Sequence, residues 1–233
     1  MLLLALDTTT MVCSVALGEE KKLWAEYSLN IKKTHSQRLM PLIINLFKDA
    51  GVDKKEIDGI AVTRGPGSFT GIRIGMATAL GLSQGLGIPI VGVMTLDALA
   101  WSGVSFPGLI CPVLDARKDQ AYFALYRGGR ETPVEVEAAD VNGLDVLCNM
   151  LSQYREPVLF LGDGVEKFRS TLKDVVGSGY QELPFLCRLN RSALVLQEGF
   201  RIWHEKGPAP AYALGPYYIR ASEAERRFQE KKK

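Results

Sequence analysis

The chain has 233 residues, 47% hydrophobic and 23% charged, with a formal net charge of +2. That length supports one large domain or two lobes with real cores, and the composition excludes a disordered chain. A balance this close to neutral sets up no field that demands a nucleic acid or membrane partner.

Residues 2–7 read as a strand buried on both faces. No basic segment precedes this run, and it is too short for a signal-peptide core, so no leader is expected. No apolar stretch reaches the roughly 20 residues of a membrane span, and the expected location is the cytoplasm. Residues 12–17 and 23–29 read as two further strands joined by a hairpin turn at 18–20. A helix opens at Thr34, where Thr34 and Gln37 fit a capping box, and closes at Gly51. Pro41 lies inside it as a kink. Residues 57–63 form a strand, 64–71 a glycine-rich loop, 72–86 a helix and 88–93 a strand. Thr95 then caps a short helix to about Trp101.

The second half partly repeats this order. Strands are expected at 109–114, 120–126 and 134–137, a helix at 144–152 and a strand at 158–161. Helical stretches follow near 165–174 and 192–204, and a charged tail at 222–233 starts as helix. The Gly, Ser and Pro residues of 103–108 mark the lobe boundary. The expected domains are 1–103, joined by the tail 214–233, and 104–213. Two lobes with a repeated element order match the actin-like α/β architecture, each lobe a mixed sheet flanked by helices.

Four cysteines, Cys13, Cys111, Cys148 and Cys187, are scattered without a CxxC pair, so neither zinc nor redox chemistry is encoded. His35 and His204 are the two histidines, and neither stands beside a Gly-x-Ser-x-Gly elbow, which leaves a hydrolytic triad without its base. Asp7 ends a strand where α/β folds place ligands. It could hold a metal–nucleotide complex or could close its own turn. Gly65, Gly67 and Gly71, with Ser68 and Thr70 as caps and Arg73 in the first turn, could form an anion site or serve tight strand–helix packing. The spacing is not that of a Walker loop. The Gly162-Asp163-Gly164 turn could approach a nucleotide. Lys231, Lys232 and Lys233 could touch nucleic-acid phosphates, or be a solvated tail.

The two helices of the first half carry too much apolar surface. On the first, Leu39, Leu42, Ile43, Leu46 and Ala50 share one face, and Met40, Ile44 and Phe47 extend it to an arc of about 200°, where one-sided packing needs a little over 100°. The second has no polar face. It carries small residues four apart in two rows, Gly71, Gly75 and Ala79, and Ala77, Gly81 and Gly85. The surplus points to a protein interface, with Met40, Ile44, Phe47, Met76, Ala79, Leu80 and Ser83 as its candidate residues.

Several segments closely resemble the TsaB (YeaZ) family. They are Leu4-Ala5-Leu6-Asp7-Thr8-Thr9, Thr34-His35-Ser36, Arg64-Gly65-Pro66-Gly67-Ser68-Phe69-Thr70-Gly71-Ile72-Arg73-Ile74-Gly75, Asp115-Ala116-Arg117 with Tyr122, and Tyr218-Ile219-Arg220. The resemblance implies the actin-like ATPase fold (ASKHA, ribonuclease H-like). It implies a non-catalytic scaffold for threonylcarbamoyl transfer to the adenosine beside the anticodon of tRNA. The implied partners are a TsaD-type transferase and a TsaE-type ATPase, with a homodimer when the chain is alone and tRNA reached through the complex. The catalytic paralogue carries His-x-x-x-His after the strand matching 88–93. Here Thr95 and Leu99 fill those positions and cannot act as imidazoles, so no metal, no catalytic residue and no firmly bound cofactor is expected, ATP being used by the complex. The rival expectation is an autonomous ATP-binding ATPase or phosphotransferase of the same superfold, built on Asp7, Thr8 and the glycine loop.

Overall fold

A computed structural model describes residues 1–31, 34–129 and 131–220. The tail beyond residue 220, with Lys231, Lys232 and Lys233, lies outside the described residues.

The first sheet is built from β1 (Leu3–Asp7), β2 (Val12–Glu19), β3 (Lys22–Asn30), β4 (Gly59–Gly65) and β5 (Ile90–Met94), in the order β3-β2-β1-β4-β5. β1–β2 and β2–β3 pair antiparallel, while β1–β4 and β4–β5 pair parallel. The second sheet holds β6 (Leu109–Asp115), β7 (Gln120–Arg127), β8 (Val134–Gly143), β9 (Val158–Leu161) and β10 (Tyr180–Glu182) in the order β10-β9-β6-β7-β8. Read from the opposite edge, this is the same topology with the same pattern of parallel and antiparallel pairs. The repeat of element order in the sequence is therefore a repeat of architecture, and the fold is the actin-like one.

Strand alternation sorts the core. Leu4, Leu6, Val15 and Leu17 point to one face of the first sheet, where α1 (His35–Ala50) and α2 (Phe69–Leu86) cover them with Leu39, Ile43, Leu46, Ile72 and Met76. Leu3, Ala5, Ala16 and Ala61 point to the other. That second face is covered by α6 (Ser192–Lys206), through Val195, Leu196 and Phe200. In the second lobe α4 (Leu144–Leu151) and α5 (Val165–Val176) cover one face with Leu147, Leu151, Phe168 and Leu172. The other face receives Leu96, Leu99 and Ala100 of α3 (Thr95–Ala100).

The two lobes thus exchange their third helix. α3 follows the last strand of the first sheet and packs under the second, while α6 follows the last strand of the second and packs under the first. This corrects the expected assignment of 192–204 to the second lobe. The start of α6 is fixed on the first sheet: the Ser192 amide donates to Ser14 Oγ at 3.0 Å and the Ala193 amide to Glu26 Oε1 at 2.8 Å.

Helix ends follow local chemistry with three corrections. Gly51 closes α1 in the left-handed conformation, as expected. The capping box at Thr34 does not form, because the Gln37 amide pairs with the Thr34 backbone oxygen instead of its side chain. α2 starts at Phe69, three residues early, because Ser68 caps it by accepting from the Gly71 amide at 3.2 Å. Thr95 is the first residue of α3 and Met94 holds the cap position.

Candidate functional site

Asp7 is buried and fully engaged inside the chain. One carboxylate oxygen accepts from the Thr9 amide at 2.8 Å, the Thr9 hydroxyl at 2.7 Å and the Thr63 hydroxyl at 3.0 Å. The other accepts from Asn190 Nδ2 at 3.0 Å. Of the two expectations, the turn-closing one describes this carboxylate: it ties β1, β4 and the segment before α6 together. Thr8 is equally occupied, donating to the Gly71 carbonyl at 2.7 Å.

The glycine loop packs on this turn. The peptide between Gly65 and Pro66 is cis, and Gly65 has a positive φ of 123°. A Cβ on Gly71 would lie 1.9 Å from the Thr8 carbonyl oxygen, and one on Gly75 2.4 Å from the Thr8 hydroxyl. The row Gly71, Gly75, Ala79 therefore serves close approach of α2 to the end of β1. Arg73 is engaged by aromatic side chains. Its guanidinium lies 3.8 Å over the Phe69 ring and its Nε donates to the Tyr218 hydroxyl at 3.0 Å.

A cleft of about 680 Å³ lies between the lobes. One wall carries Thr9, Thr10, His35, Ser68 and Thr70, and the other Asp115, Arg117, Tyr122 and Asp163. His35 is tethered at the cleft edge, with Nε2 2.8 Å from the Thr10 carbonyl. Lys167 sits 3.2 Å from Asp115, and burial raises the Asp163 carboxyl above its ordinary range. The two glycines of the Gly162-Asp163-Gly164 turn are pressed onto β6, while Asp163 between them lines the cleft. A Cβ on Gly162 would lie 2.2 Å from the Val113 carbonyl oxygen, and the Gly164 amide donates to that oxygen. Among the described residues no group of three or more His, Cys, Asp or Glu is placed to hold a metal ion.

The outer face of α1 and α2 is the second candidate. Met40 and Ile44, one turn apart on α1, are 39% and 59% exposed. Phe47 and Leu80 are half-buried against the first-lobe core. Met76, Ala79 and Ser83 correct the sequence expectation: they are buried against the chain's own core, and the Ser83 hydroxyl donates to the Ile88 carbonyl. The solvent face of α2 carries the other small-residue row, Ala77, Gly81 and Gly85. Among the described residues, no heavy atom beyond the neighbouring backbone of α2 itself lies within 4 Å of where a Cβ on Gly81 or Gly85 would stand.

Where the sequence has Thr95 and Leu99, both side chains are buried in the core between the lobes. Asp97 between them accepts a hydrogen bond from the Tyr126 hydroxyl at 2.6 Å. Beside it the buried Glu198 of α6 accepts from Trp101 Nε1 at 2.8 Å and pairs with Arg201 at 2.6 Å. Burial pushes the Asp97 carboxyl up to about 6. Sequence reasoning missed this cluster and the grip of Asn190 and Thr63 on Asp7. An acid in an apolar helix was the one signal available for the first; nothing local marks the second.

The comparisons with known proteins agree with one another. A family model described as TsaD, tRNA N6-adenosine threonylcarbamoyltransferase, matches residues 23–199. The Bacillus subtilis tRNA threonylcarbamoyladenosine biosynthesis protein TsaB is 35% identical over all of both chains. The Escherichia coli protein of the same name is 32% identical over 85% of this chain and 80% of its own. Among solved structures, a Pseudomonas aeruginosa protein described as similar to peptidase YEAZ superposes with a TM-score of 0.78 at 26% identity, covering 94% of this chain and 99% of that one. The ethanolamine utilization protein EutJ of Carboxydothermus hydrogenoformans, at 12% identity and a TM-score of 0.52 over 85% of this chain and 89% of its own, shares the fold alone.

Proposed function

The chain belongs to the TsaB family of tRNA threonylcarbamoyladenosine biosynthesis proteins, and from that premise we propose that it is a non-catalytic scaffold subunit. It docks a TsaD-type transferase through the outer face of α1 and α2, and the assembly, joined by a TsaE-type ATPase, carries threonylcarbamoyl to the adenosine beside the anticodon. Alone, the same face pairs two copies of the chain. ATP is consumed by the assembly, and tRNA is held through it.

The observation that carries this reading is the open row on α2. Gly81 and Gly85 leave the helix backbone bare to solvent, beside the exposed apolar side chains of Met40 and Ile44. A glycine inside a helix costs about 1 kcal/mol relative to alanine, and among the described residues nothing uses the space. Close approach of a partner helix would use it.

The reading as an autonomous ATPase loses support at Asp7, whose two oxygens are taken by internal donors. A peptidase reading finds no base. His35 is bound to a backbone carbonyl and His204 lies 2.8 Å from Glu20, and among the described residues no hydrogen bond joins either imidazole to a Ser, Thr or Cys side chain.

The test is reconstitution. Transferase, ATPase, unmodified tRNA, ATP and the threonylcarbamoyl donor are assayed for modified nucleoside with and without this chain. Modification that requires the chain, with no turnover by the chain alone, is the expected result. ATP hydrolysis by the chain alone would overturn it. Ile44→Asp is expected to keep the melting temperature of the isolated chain and to weaken transferase binding by about a hundredfold. Ile44 is a cleaner probe than Phe47, which also packs on the chain's own core.

A further inference from the structure

The motif Tyr218-Ile219-Arg220 has no part in the docking face, yet it is built into both lobes. We propose that residues 214–220 form a strap that couples the glycine loop of the first lobe to the β6–β7 turn of the second.

The strap is seated at successive points. Leu214 fills the space over Gly92, where a Cβ would lie 2.5 Å from its Cδ1. The Tyr217 amide donates to the Arg64 carbonyl at 2.7 Å, and its own carbonyl oxygen occupies the place of a Gly65 side chain, 2.3 Å from where that Cβ would stand. The Tyr218 ring stacks on Phe69 with centroids 4.7 Å apart, and its hydroxyl accepts from Arg73. Phe69 is thereby held between the ring of Tyr218 and the guanidinium of Arg73, at the first residue of α2. The chain then crosses the cleft, and Arg220 Nη1 donates to the Ala116 carbonyl at 3.3 Å.

The far anchor is a turn that needs holding. Arg117, Lys118 and Asp119 have φ of 62°, 50° and 56°, three consecutive non-glycine residues in the left-handed region. Each such residue stores backbone strain. Arg220 grips the carbonyl just before this run, while Ala116 and Gln120 close it by backbone hydrogen bonds. Tyr217, Tyr218, Ile219 and Arg220 all line the cleft, so the strap also forms part of its wall. Bare positions at Gly65 and Gly92 fit a segment that is seated rather than draped.

The test is amide hydrogen exchange on the isolated chain, wild type against Tyr218→Ala, which needs no partner and so stands apart from the docking reading. Exchange at Tyr217, Ser68 and Gly71 in the first lobe, and at Ala116, Arg117 and Gln120 in the second, is expected to rise at least tenfold, with β1 and β6 unchanged. A rise confined to the first lobe would overturn the coupling, and no rise at either place would overturn the strap itself. Should β1 and β6 also exchange faster, the variant is unfolding and Arg220→Ala decides. Its cut at the far anchor is expected to speed exchange at Ala116 and at Tyr217 together, and an unchanged Tyr217 would refute the proposal.

Discussion

Helices α2 and α3 follow neighbouring parallel strands of the first sheet and meet opposite surroundings. α2 carries no charged residue after Arg73, yet Ala77, Gly81 and Gly85 stand open to solvent. α3 carries Thr95 and Asp97, yet packs between both sheets and α6. The composition of a helix reports what finally covers it, and not whether the cover comes from the same chain. On the proposed reading, an apolar helix with an exposed face is covered by an outside partner. A polar residue in an enclosed helix is tolerated where its hydrogen bonds are made, as Tyr126 makes one for Asp97.

The contrast can be broken most severely at the inner face of α2. Gly71→Val places a side chain against the Thr8 backbone, which cannot yield as a side chain would. A loss of about 3 kcal/mol or more is expected from urea unfolding. A loss under about 1 kcal/mol would mean that the close approach is not needed.

Asp97 tests the enclosed helix. Burial lifts its carboxyl from 3.8 to about 6; the Tyr126 hydrogen bond opposes the rise, Glu198 and Glu135 add to it and Arg201 opposes it. Between those values the folded chain holds a proton that the unfolded chain releases. The contribution is therefore full below pH 3.8 and is lost as pH rises through about 6. Asp97→Asn removes it. The stability difference between variant and wild type is expected to grow in favour of the variant by about 2–3 kcal/mol from pH 4 to pH 7. Equal pH slopes in the two proteins would show that Asp97 ionises as freely in the fold as outside it.

Gly81→Ala gives the smallest effect and the sharpest contrast. On the open face the added methyl meets nothing, so the isolated chain is expected to gain up to about 1 kcal/mol from helix propensity. The same methyl is expected to weaken association with the transferase, read by titration of one chain with the other. Unchanged association would move the docking face off this row.

The sheets were legible because short, near-continuous apolar runs bounded by turn residues mark strands wherever both faces are covered. The positions of β1 to β7 and β9, the glycine loop and the closure of α1 by Gly51 were legible for the same local reasons, whereas β8 runs six residues past its expected end at 137 and the three-residue β10 was not read at all. The home of α6 was not. Its stripe of Val195, Leu196 and Phe200 says that one side is buried, and says nothing about which sheet lies beneath. The anchors that decide it, Ser14 and Glu26, stand at the other end of the chain. Which apolar residues of α1 and α2 stay exposed was half legible for a related reason. Helical spacing placed Met40 and Ile44 outward, but on a helix apolar all round, spacing cannot tell Met76 and Ala79 from Ala77 and Gly81. Asp7 marked the right place in the fold, while its partners Thr63 and Asn190 lie in segments that no local motif connects to it.

The exchange of third helices bears on how the chain comes off the ribosome. β5 is made long before α6, and at about 5–20 residues per second the interval is on the order of 10 s. Throughout it Leu3, Ala5, Ala16 and Val93 lack the helix that buries them in the finished protein. The second lobe meets no such delay, because α3 precedes the sheet it covers. The half made first is thus the half completed last, and its uncovered sheet face is the surface a nascent-chain chaperone would shield.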